Sequence, residues 1–286
     1  MKALFAAFML WMCQSMIGVH AACLLDLPIQ IQLGSYDPGA SAPHPIGWNL
    51  RLTTSDGCSA RIQMDGLDAE GILSLQGTDG QSLRLALAQD ASATRHLPAS
   101  PQEFGAVQLN PGQQLNTQLW AIPAAGQWLS PGTYRGTLRI TLLDASGLVM
   151  LRRDISFGTE VAATVQSSWA LLSSVSGSNA ARLDFGELVQ GAVRSASLMV
   201  RANTSYGMTI ESAQHGRLVH QKLPESVISY AISLNGRLFD PAHGTPQMFA
   251  STPGTVRHAF SFRIGAVERV LAGDYVDSLL VTLFAQ

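Results

Sequence analysis

One pattern of twelve residues occurs twice in this chain, and it limits the possible folds more than any other feature of the sequence. The first copy, Pro131–Leu142, reads PGTYRGTLRITL, and the second, Ala272–Leu283, reads AGDYVDSLLVTL. After its tyrosine the first copy alternates apolar and polar residues, which is the period of a β-strand with one face in a core and the other in water. The repeat therefore predicts two related β-sandwiches in tandem.

The two copies differ in the segments that come after them. A turn and a further strand-like run, Leu148–Phe157, come after the first copy, whereas the sequence continues for three residues, Phe284–Gln286, after the second. We therefore expect the second sandwich to lack its closing strand and to offer an open groove to a strand from another chain. An ordinary edge strand is the alternative interpretation of the second copy.

The same alternation predicts which residues line this groove. Leu279, Val281 and Leu283 fall on the face that the first copy assigns to the core, so we expect them on one side. Ala170 and Leu172, near the start of the second half, are expected on the other side. These five residues are the predicted acceptor groove.

Short strand-like runs separated by Gly, Pro, Asn and Asp fill the rest of the chain, without convincing helical periodicity. Two further pairs of segments support the duplication: Leu33–Tyr36 matches Phe185–Leu188, and Leu83–Leu87 matches Ile228–Ile232. The predicted fold is all-β, with two immunoglobulin-like β-sandwich domains in tandem and the last strand missing from the C-terminal one.

The chain is expected to divide into three parts: a signal peptide at residues 1–21, an N-terminal domain at residues 22–158 and a C-terminal domain at residues 159–286. Lys2 precedes the apolar run Ala3–Met12, and Val19–Ala21 fits the site that a signal peptidase reads. A membrane anchor is the alternative, but the apolar run is short for a span of about 20 residues. Export is therefore expected, and Gly158–Glu160 is expected to be a short, stiff connector between the domains.

Two cysteines, Cys23 and Cys58, remain once the leader and its Cys13 are removed. In an exported chain they indicate one disulfide, although two buried free thiols are the alternative. A bridge that closes a loop of about 35 residues stabilises by roughly 3–4 kcal/mol in the chain-entropy model.

Charge and motif content exclude several classes of function. The formal net charge is −2 and basic residues form no run, which argues against nucleic acid and anionic membranes as partners. The sequence has no Gly-x-Ser-x-Gly, His-Glu-x-x-His or Cys-x-x-Cys motif, so we expect no enzyme activity, no cofactor and no metal site. His215 and His220 are expected to be solvated rather than metal ligands.

Several short motifs in the second half occur in a recognisable order: Leu183–Leu188, Asn203–Tyr206, Ile228–Tyr230, Asn235-Gly236 and Ala272–Asp277. In this order they resemble the spore coat protein U domain, the subunit fold of archaic chaperone–usher pili. The resemblance covers residues 161–286, and the first half matches more weakly.

This resemblance implies an incomplete immunoglobulin-like sandwich that a periplasmic pilus chaperone fills first and a strand from a neighbouring pilin subunit fills later, at the outer-membrane usher. The sequence departs from the pattern of an ordinary subunit because Cys23 follows the leader directly, which leaves no donor extension, and because an extra domain stands ahead. The expected protein is therefore a tip adhesin. It would pass through the periplasm to the cell surface, join the fibre by donor-strand complementation and contact a surface or host receptor, as in biofilm formation, through its adhesin-like N-terminal domain.

Three long loops of the first half carry apolar residues that could contact a target, namely Ile46, Leu97, Phe104, Ile122 and Trp128. Such a cluster would suit adhesion to hydrophobic surfaces. Two observations oppose this. Phe104 and Trp128 could pack inward as core, and the same strand count places the connection to the second domain at that end.

The alternative function from another class is a secreted carbohydrate-binding or coat protein whose sandwich domains are self-contained. A hydrolase on a sandwich scaffold lacks a candidate nucleophile.

Overall fold

The computed structural model describes residues 23–40, 44–97, 102–170, 180–241, 244–252 and 254–286, and the side chains of all of these except 102–105. Every regular element in these ranges is a β-strand, which confirms the all-β prediction. None of the described segments forms a helix long and apolar enough to cross a membrane. The predicted signal peptide lies outside the described residues.

Ten strands precede residue 162: β1 (Leu24–Asp26), β2 (Gln30–Tyr36), β3 (Ile46–Thr53), β4 (Cys58–Asp65), β5 (Ile72–Gly77), β6 (Ser82–Ala88), β7 (Gln102–Leu109), β8 (Gln114–Pro123), β9 (Gly132–Leu143) and β10 (Val149–Val161). Ten more follow: β11 (Val165–Ala170), β12 (Val193–Ala202), β13 (Tyr206–Ser212), β14 (Arg217–His220), β15 (Val227–Leu234), β16 (Arg237–Phe239), β17 (Gln247–Phe249), β18 (Thr255–Ile264), β19 (Tyr275–Val276) and β20 (Leu279–Ala285).

The first ten strands form one sheet that folds over on itself, here called the N-terminal sandwich (residues 23–161). Its order is β1-β3-β8-β6-β5-β9-β10-β2, and β4 joins β9 to β7. Strand β9 belongs to both layers, because its start pairs with β5, Tyr134 opposite Gly77, and its end pairs with β4, Ile140 opposite Met64. A strand that changes sheets in this way forms the corner of a sandwich.

The alternation of side chains fills the space between the layers. Leu50, Leu85, Leu138 and Ile155, from four different strands, are fully buried in one core. Each is flanked along its strand by residues that face away from this core, as the two-residue period requires.

The Cys23–Cys58 disulfide is present and closes a loop across the start of the N-terminal sandwich. It joins the residue before β1 to the first residue of β4, strands that are not neighbours in the sheet. The prediction of one disulfide is confirmed.

The remaining strands form the C-terminal sandwich (residues 165–286). One layer has the order β11-β12-β18-β15-β14-β19, with β16 beside β15, and the other has the order β17-β13-β20. Tyr206, Met208, Ile232 and Phe260 are buried between the layers in a core separate from that of the N-terminal sandwich.

The two sandwiches repeat one topology, which confirms the duplication. The order β1-β3-β8-β6-β5-β9 of the first matches β11-β12-β18-β15-β14-β19 of the second. The register matches as well, since Leu142 of β9 lies opposite Ile62 of β4 and the equivalent Leu283 of β20 lies opposite Met208 of β13.

The tyrosine of each repeat makes the same local structure. Tyr134 and Tyr275 each donate a hydroxyl hydrogen bond to the carbonyl four residues earlier, at 3.0 and 2.7 Å. Between donor and acceptor lies a glycine with positive φ, Gly132 at 138° and Gly273 at 154°. Residues with a Cβ rarely adopt such angles, which explains why both copies keep Gly at this position.

The two sandwiches meet directly. The sequence predicted a connector at Gly158–Glu160, and this prediction is wrong. Strand β10 continues through these residues to Val161 and pairs with β9 and β2 there. Thr164 and Gln166 donate hydrogen bonds from side chains to Asp37 Oδ1 and the Gly39 carbonyl, at 2.9 and 2.8 Å. The assignment of residues 22–158 and 159–286 to separate domains stays a prediction.

The side-chain amide of Asn203 forms three hydrogen bonds at the junction between the sandwiches. Its Nδ2 donates to the carbonyls of Leu129 and Ala162, both at 2.8 Å, and its Oδ1 accepts the Thr164 amide at 2.8 Å. Because Asn203 is buried and satisfied on both sides, it holds one loop of the N-terminal sandwich against β12 and β13.

Replacing both Cys23 and Cys58 by serine should lower the free energy of unfolding of the N-terminal sandwich by roughly 3–4 kcal/mol, because the 35-residue separation is no longer closed in the unfolded chain. Urea denaturation followed by tryptophan fluorescence measures this loss. A matched control is the reduced wild-type chain, which should show the same loss. Unchanged stability in both would contradict the assigned role of the bridge.

Candidate functional site

Strand β20 has a neighbour on one edge. It pairs antiparallel with β13, from Leu279 opposite Ser212 to Ala285 opposite Tyr206. Within the described residues no strand pairs with its other edge. Strand β11, the edge of the facing layer, likewise pairs with β12 alone among the described strands, and its Cα atoms come within 8 Å of those of β20.

Comparison with the first repeat identifies the strand that this site lacks. Strand β9 pairs with β4, β5 and β10, and its counterparts in the second repeat are β19 and β20. The counterpart of β4 is β13, which pairs with β20, and the counterpart of β5 is β14, which pairs with β19. No described strand of the C-terminal sandwich corresponds to the third, β10, which pairs with β9 along its whole length, from Gly132 to Leu143. The open edge of β20 is therefore the position that β10 occupies in the first repeat, together with its parallel neighbour β2.

Burial of the equivalent side chains differs accordingly. Leu138, Ile140 and Leu142 of β9 have no exposed surface. Leu279, Val281 and Leu283 point toward the second core, as predicted, but they are only partly buried. A row of apolar side chains that faces a core and still contacts water indicates a groove that is open to solvent.

The other side of the groove differs from the prediction. Ala170 is exposed, and the neighbouring Trp169 packs on the core with its ring centroid 5.3 Å from that of Phe260. The prediction for Ala170 is wrong by one position, because consecutive residues of a strand point to opposite faces. Val165 and Trp169 are the residues of β11 that face the core, and Leu172 lies outside the described residues.

On the outer face of β20, the ring of Phe284 packs over a glycine of β13. Gly207 lies opposite Phe284, and the phenyl ring of Phe284 covers the space that a side chain at position 207 would need. An aromatic residue that covers a glycine across a strand pair restores contact area that the glycine lacks. The pairing of β20 with β13 is thus defined even though its other edge is open.

A carboxylate ends the groove where β19 passes into β20. Asp277 Oδ2 accepts hydrogen bonds from the hydroxyls of Tyr230 and Ser212 at 2.5 and 2.6 Å, and its Oδ1 accepts the amide of Gln214 at 3.1 Å. Burial, and then the neighbouring Asp277 carboxylate, raise the pKa of Tyr230 well above its usual value. In the first repeat the equivalent residue is Gly136, where the strand continues without a break.

A second buried network supports β13 from inside the core. The His258 ring accepts from Asn235 Nδ2 at Nδ1, at 3.1 Å, so Nε2 carries the proton and donates to the Tyr206 hydroxyl at 2.6 Å. The Asn235 carbonyl oxygen accepts the amide of Ala259 and so fixes the orientation of the amide group. Burial lowers the pKa of His258, which keeps the ring neutral in this network.

The predicted contact residues of the N-terminal sandwich are largely covered. Leu97 is 2% exposed, Ile122 is 9% exposed and Ile46 packs on the core, so the expectation of exposed side chains is wrong for these three. Ile46 and Ile122 lie in strands β3 and β8 rather than in loops, and Leu97 is held against β6, where its amide donates to the Leu87 carbonyl at 2.8 Å. Phe104 lies in β7, and its side chain is outside the described residues.

Trp128 contacts the C-terminal sandwich rather than solvent alone. The guanidinium carbon of Arg201 lies 4.6 Å from its ring centroid, a cation–π contact. The adjacent Leu129 accepts the hydrogen bond from Asn203, and Asp37 and Gly39 in another of these loops contact β11 and the segment before it. Two of the three predicted contact loops therefore lie at the junction, in agreement with the strand count.

Exposed apolar residues occur instead at the opposite end of the N-terminal sandwich. Leu148, Val149 and Met150, at the tip of the β9–β10 hairpin, are 69, 48 and 37% exposed, and Leu24 is 65% exposed. The pairing of Leu24 with Thr53 places both at the end away from Val161. The sequence predicts a strand-like run over Leu148–Phe157 and gives no sign that its first side chains are exposed.

The described residues hold no group of three or more His, Cys, Asp or Glu side chains that could bind a metal ion.

Comparison with known proteins yields solved structures alone, since no family model and no curated protein matches the sequence. A chain of the CsuC–CsuE chaperone–tip adhesion subunit complex from archaic chaperone-usher Csu pili of Acinetobacter baumannii is similar over 91% of this chain and 99% of its own, at 14% identity and a TM-score of 0.49. CfaE, the adhesive subunit of CFA/I fimbria of enterotoxigenic Escherichia coli, is similar over 92% and 94%, at 12% identity and 0.41. The CupB6 tip adhesin from Pseudomonas aeruginosa is similar over 92% and 94%, at 11% identity and 0.35. Identities and scores this low leave the assignment of a role to the geometry of this chain.

The buried His258 predicts a loss of stability in mild acid. Its pKa is lowered in the folded chain, so below the ordinary value of 6.5 the unfolded chain binds a proton that the folded chain does not. Stability should therefore fall as the pH drops below about 6.5, until the pH reaches the lowered folded-state pKa. Urea denaturation at pH 7.5 and 5.5 measures the effect.

His258→Gln should reduce the difference between the two pH values, whereas His44→Gln, which alters an exposed histidine, should not. Equal pH dependence of wild type and His258→Gln would contradict this assignment.

Proposed function

We propose that this protein is a non-enzymatic subunit of a chaperone–usher pilus, an adhesin at the fibre tip, whose C-terminal sandwich accepts a β-strand from another chain. One observation carries the proposal: β20 repeats β9 in sequence, register and neighbours, but the position that β10 fills beside β9 is open beside β20 among the described strands. Completion of this position is the function that the geometry supports best.

Two unsatisfied features of the groove would favour an incoming strand. The free edge of β20 presents backbone N–H and C=O groups that an incoming strand could pair with, as β10 pairs with β9. The strand would also cover Leu279, Val281 and Leu283, and each apolar side chain that it buries stabilises by roughly 1.5–3 kcal/mol before entropy losses. Backbone pairing would supply affinity, and alternate side chains would supply specificity.

The first repeat indicates what such a strand looks like. Strand β10 runs antiparallel to β9 and inserts Ile155 opposite Leu138 and Phe157 opposite Gly136, with exposed residues between them. A strand that completes the C-terminal sandwich in the same way would run antiparallel to β20 and carry apolar residues at every second position.

The partners in this proposal follow from the resemblance to the spore coat protein U domain. A periplasmic chaperone would fill the groove during export, and the strand of a neighbouring pilin subunit would replace it at the outer-membrane usher. An extra sandwich ahead of the acceptor sandwich is the arrangement that the resemblance implies for a tip subunit. Residues 1–21 would direct the chain to the periplasm, and assembly would carry it to the cell surface.

Contact with a surface or host receptor would then fall to the N-terminal sandwich. We assign it to the exposed apolar side chains at the end away from the junction, namely Leu148, Val149 and Met150 at the hairpin tip and Leu24 in β1. Ile46, Leu97, Ile122 and other loop residues near the junction are covered.

Strand completion in cis tests the proposal. A copy of Asp144–Val161, appended after Gln286 of the chain without residues 1–21, supplies a turn and a β10-like strand. The melting temperature of the C-terminal sandwich should rise by at least about 5 °C, because a gain of 1 kcal/mol shifts a domain of this size by about that much. Differential scanning calorimetry measures the change.

The matched control carries the same appended segment with aspartate at the positions copied from Ile155 and Phe157, and it should give no gain. If the unmodified chain is already as stable as the extended one, or if the aspartate control stabilises equally, the acceptor function fails.

A positive charge should have different effects on the two faces of β20. Val281→Arg places a guanidinium on the side that faces the core, whereas Leu280→Arg places it on the opposite side, where Leu280 is 62% exposed. In the extended chain, Val281→Arg should abolish most of the gain in melting temperature and Leu280→Arg should leave it within about 1 °C. Equal effects of both changes would contradict a groove on the Val281 side.

A further inference from the structure

A cleft of about 870 Å³ lies on the N-terminal sandwich, across the outer face of three neighbouring strands, β2, β10 and β9. It is separate from the acceptor groove, since all of its lining residues lie between Gln30 and Glu160. A volume of this size suits a small ligand, for which pockets of about 300–1,000 Å³ are typical.

The cleft exists because its middle strand lacks a side chain at the centre. Gly158 of β10 lies in register between Gln32 of β2 and Arg135 of β9. The long side chains on both flanks form walls, and the glycine forms the floor. The three atoms nearest to a Cβ at Gly158 would all belong to the flexible side chain of Gln32, the first at 3.2 Å, so no close backbone contact requires glycine there.

Another arginine on β9, Arg139, forms an ion pair with an acidic residue on β10. Arg139 lies opposite Asp154 and donates two hydrogen bonds to its carboxylate, at 2.8 and 3.1 Å. Arg135 lies on the same face of β9, two same-face positions closer to the junction, but Gly158 stands opposite it, where an acidic residue would close the pair. Among the described residues its guanidinium has no hydrogen bond or ion pair, and its fork of donors faces the cleft.

Groups that can accept hydrogen bonds line the cleft around Arg135. Glu160 lies two residues beyond Gly158, about 7 Å further along the strand at 3.3 Å per residue. Its carboxylate and the amide of Gln30 also lack side-chain partners among the described residues. The hydroxyls of Thr137 and Ser156 complete a lining that offers one cation, one anion and several neutral polar groups.

We propose that this cleft binds an acidic saccharide, with the carboxylate of a uronic acid on Arg135 and ring hydroxyls on Glu160, Gln30 and Gln32. The planar guanidinium matches a carboxylate through two parallel hydrogen bonds. Glu160 accepts hydrogen bonds from hydroxyls, so it favours a ligand that carries hydroxyl groups beside its carboxylate. This site does not depend on the proposed strand acceptance.

The test compares two oligosaccharides of equal length on the chain without residues 1–21. Isothermal titration calorimetry should detect binding of tri-galacturonic acid and at least tenfold weaker binding of neutral galactotriose. Gly158→Asp places a carboxylate opposite Arg135, as Asp154 stands opposite Arg139, and should weaken tri-galacturonic acid binding at least tenfold because the guanidinium is occupied. Arg135→Gln should have a similar effect.

Arg139→Gln is the matched control, because Arg139 lies on the same face of β9 but does not line the cleft, and it should leave binding unchanged. Unchanged melting temperature of each variant confirms that the fold is kept. Absence of binding, equal binding of the neutral trisaccharide, equal binding of a hexa-glutamate peptide, or binding that survives Gly158→Asp would each overturn the proposal. Failure of strand completion at β20 would leave these results unaffected.

Discussion

A strand that faces a core needs a neighbouring strand on both of its edges, and this requirement explains the difference between the two sandwiches. A strand whose inward side chains are apolar must also pair its backbone groups, because unpaired N–H and C=O groups beside a core are costly. In the N-terminal sandwich β10 meets both needs of β9, and Leu138, Ile140 and Leu142 are fully buried. In the C-terminal sandwich nothing described meets them for β20, and its inward side chains stay partly exposed.

The duplication turns this deficit into a specific expectation. Because the two repeats share strand order, register and tyrosine geometry, β10 serves as an internal template for the strand that the second repeat lacks. The junction adds a mechanical consequence. Asn203, buried and hydrogen-bonded to Leu129 and Ala162, ties the sandwiches together, so force applied at the hairpin tip of Leu148–Met150 would pass to the C-terminal sandwich.

The sequence predicted features that depend on a strand's own period, and it failed on features that depend on contacts between distant segments. The inward row of Leu279, Val281 and Leu283 follows from alternation within one copy of the repeat, whereas Ala170 belongs to a segment with no repeat to set its parity. The burial of Leu97 comes from a loop that folds back on the sheet. The cleft at Gly158 could not be predicted, because it requires the register of three strands.

Amide hydrogen exchange along β20 and β9, measured residue by residue by NMR on the chain without any added strand, shows directly whether the second edge of β20 is open. Strand β9 is an internal standard, since it has the same sequence pattern and a neighbour on both edges. We expect the amides of β20 that point away from β13 to exchange orders of magnitude faster than their equivalents in β9. Equal protection of the two strands would show that the C-terminal sandwich is already complete and would rule out the acceptance of a strand at this edge.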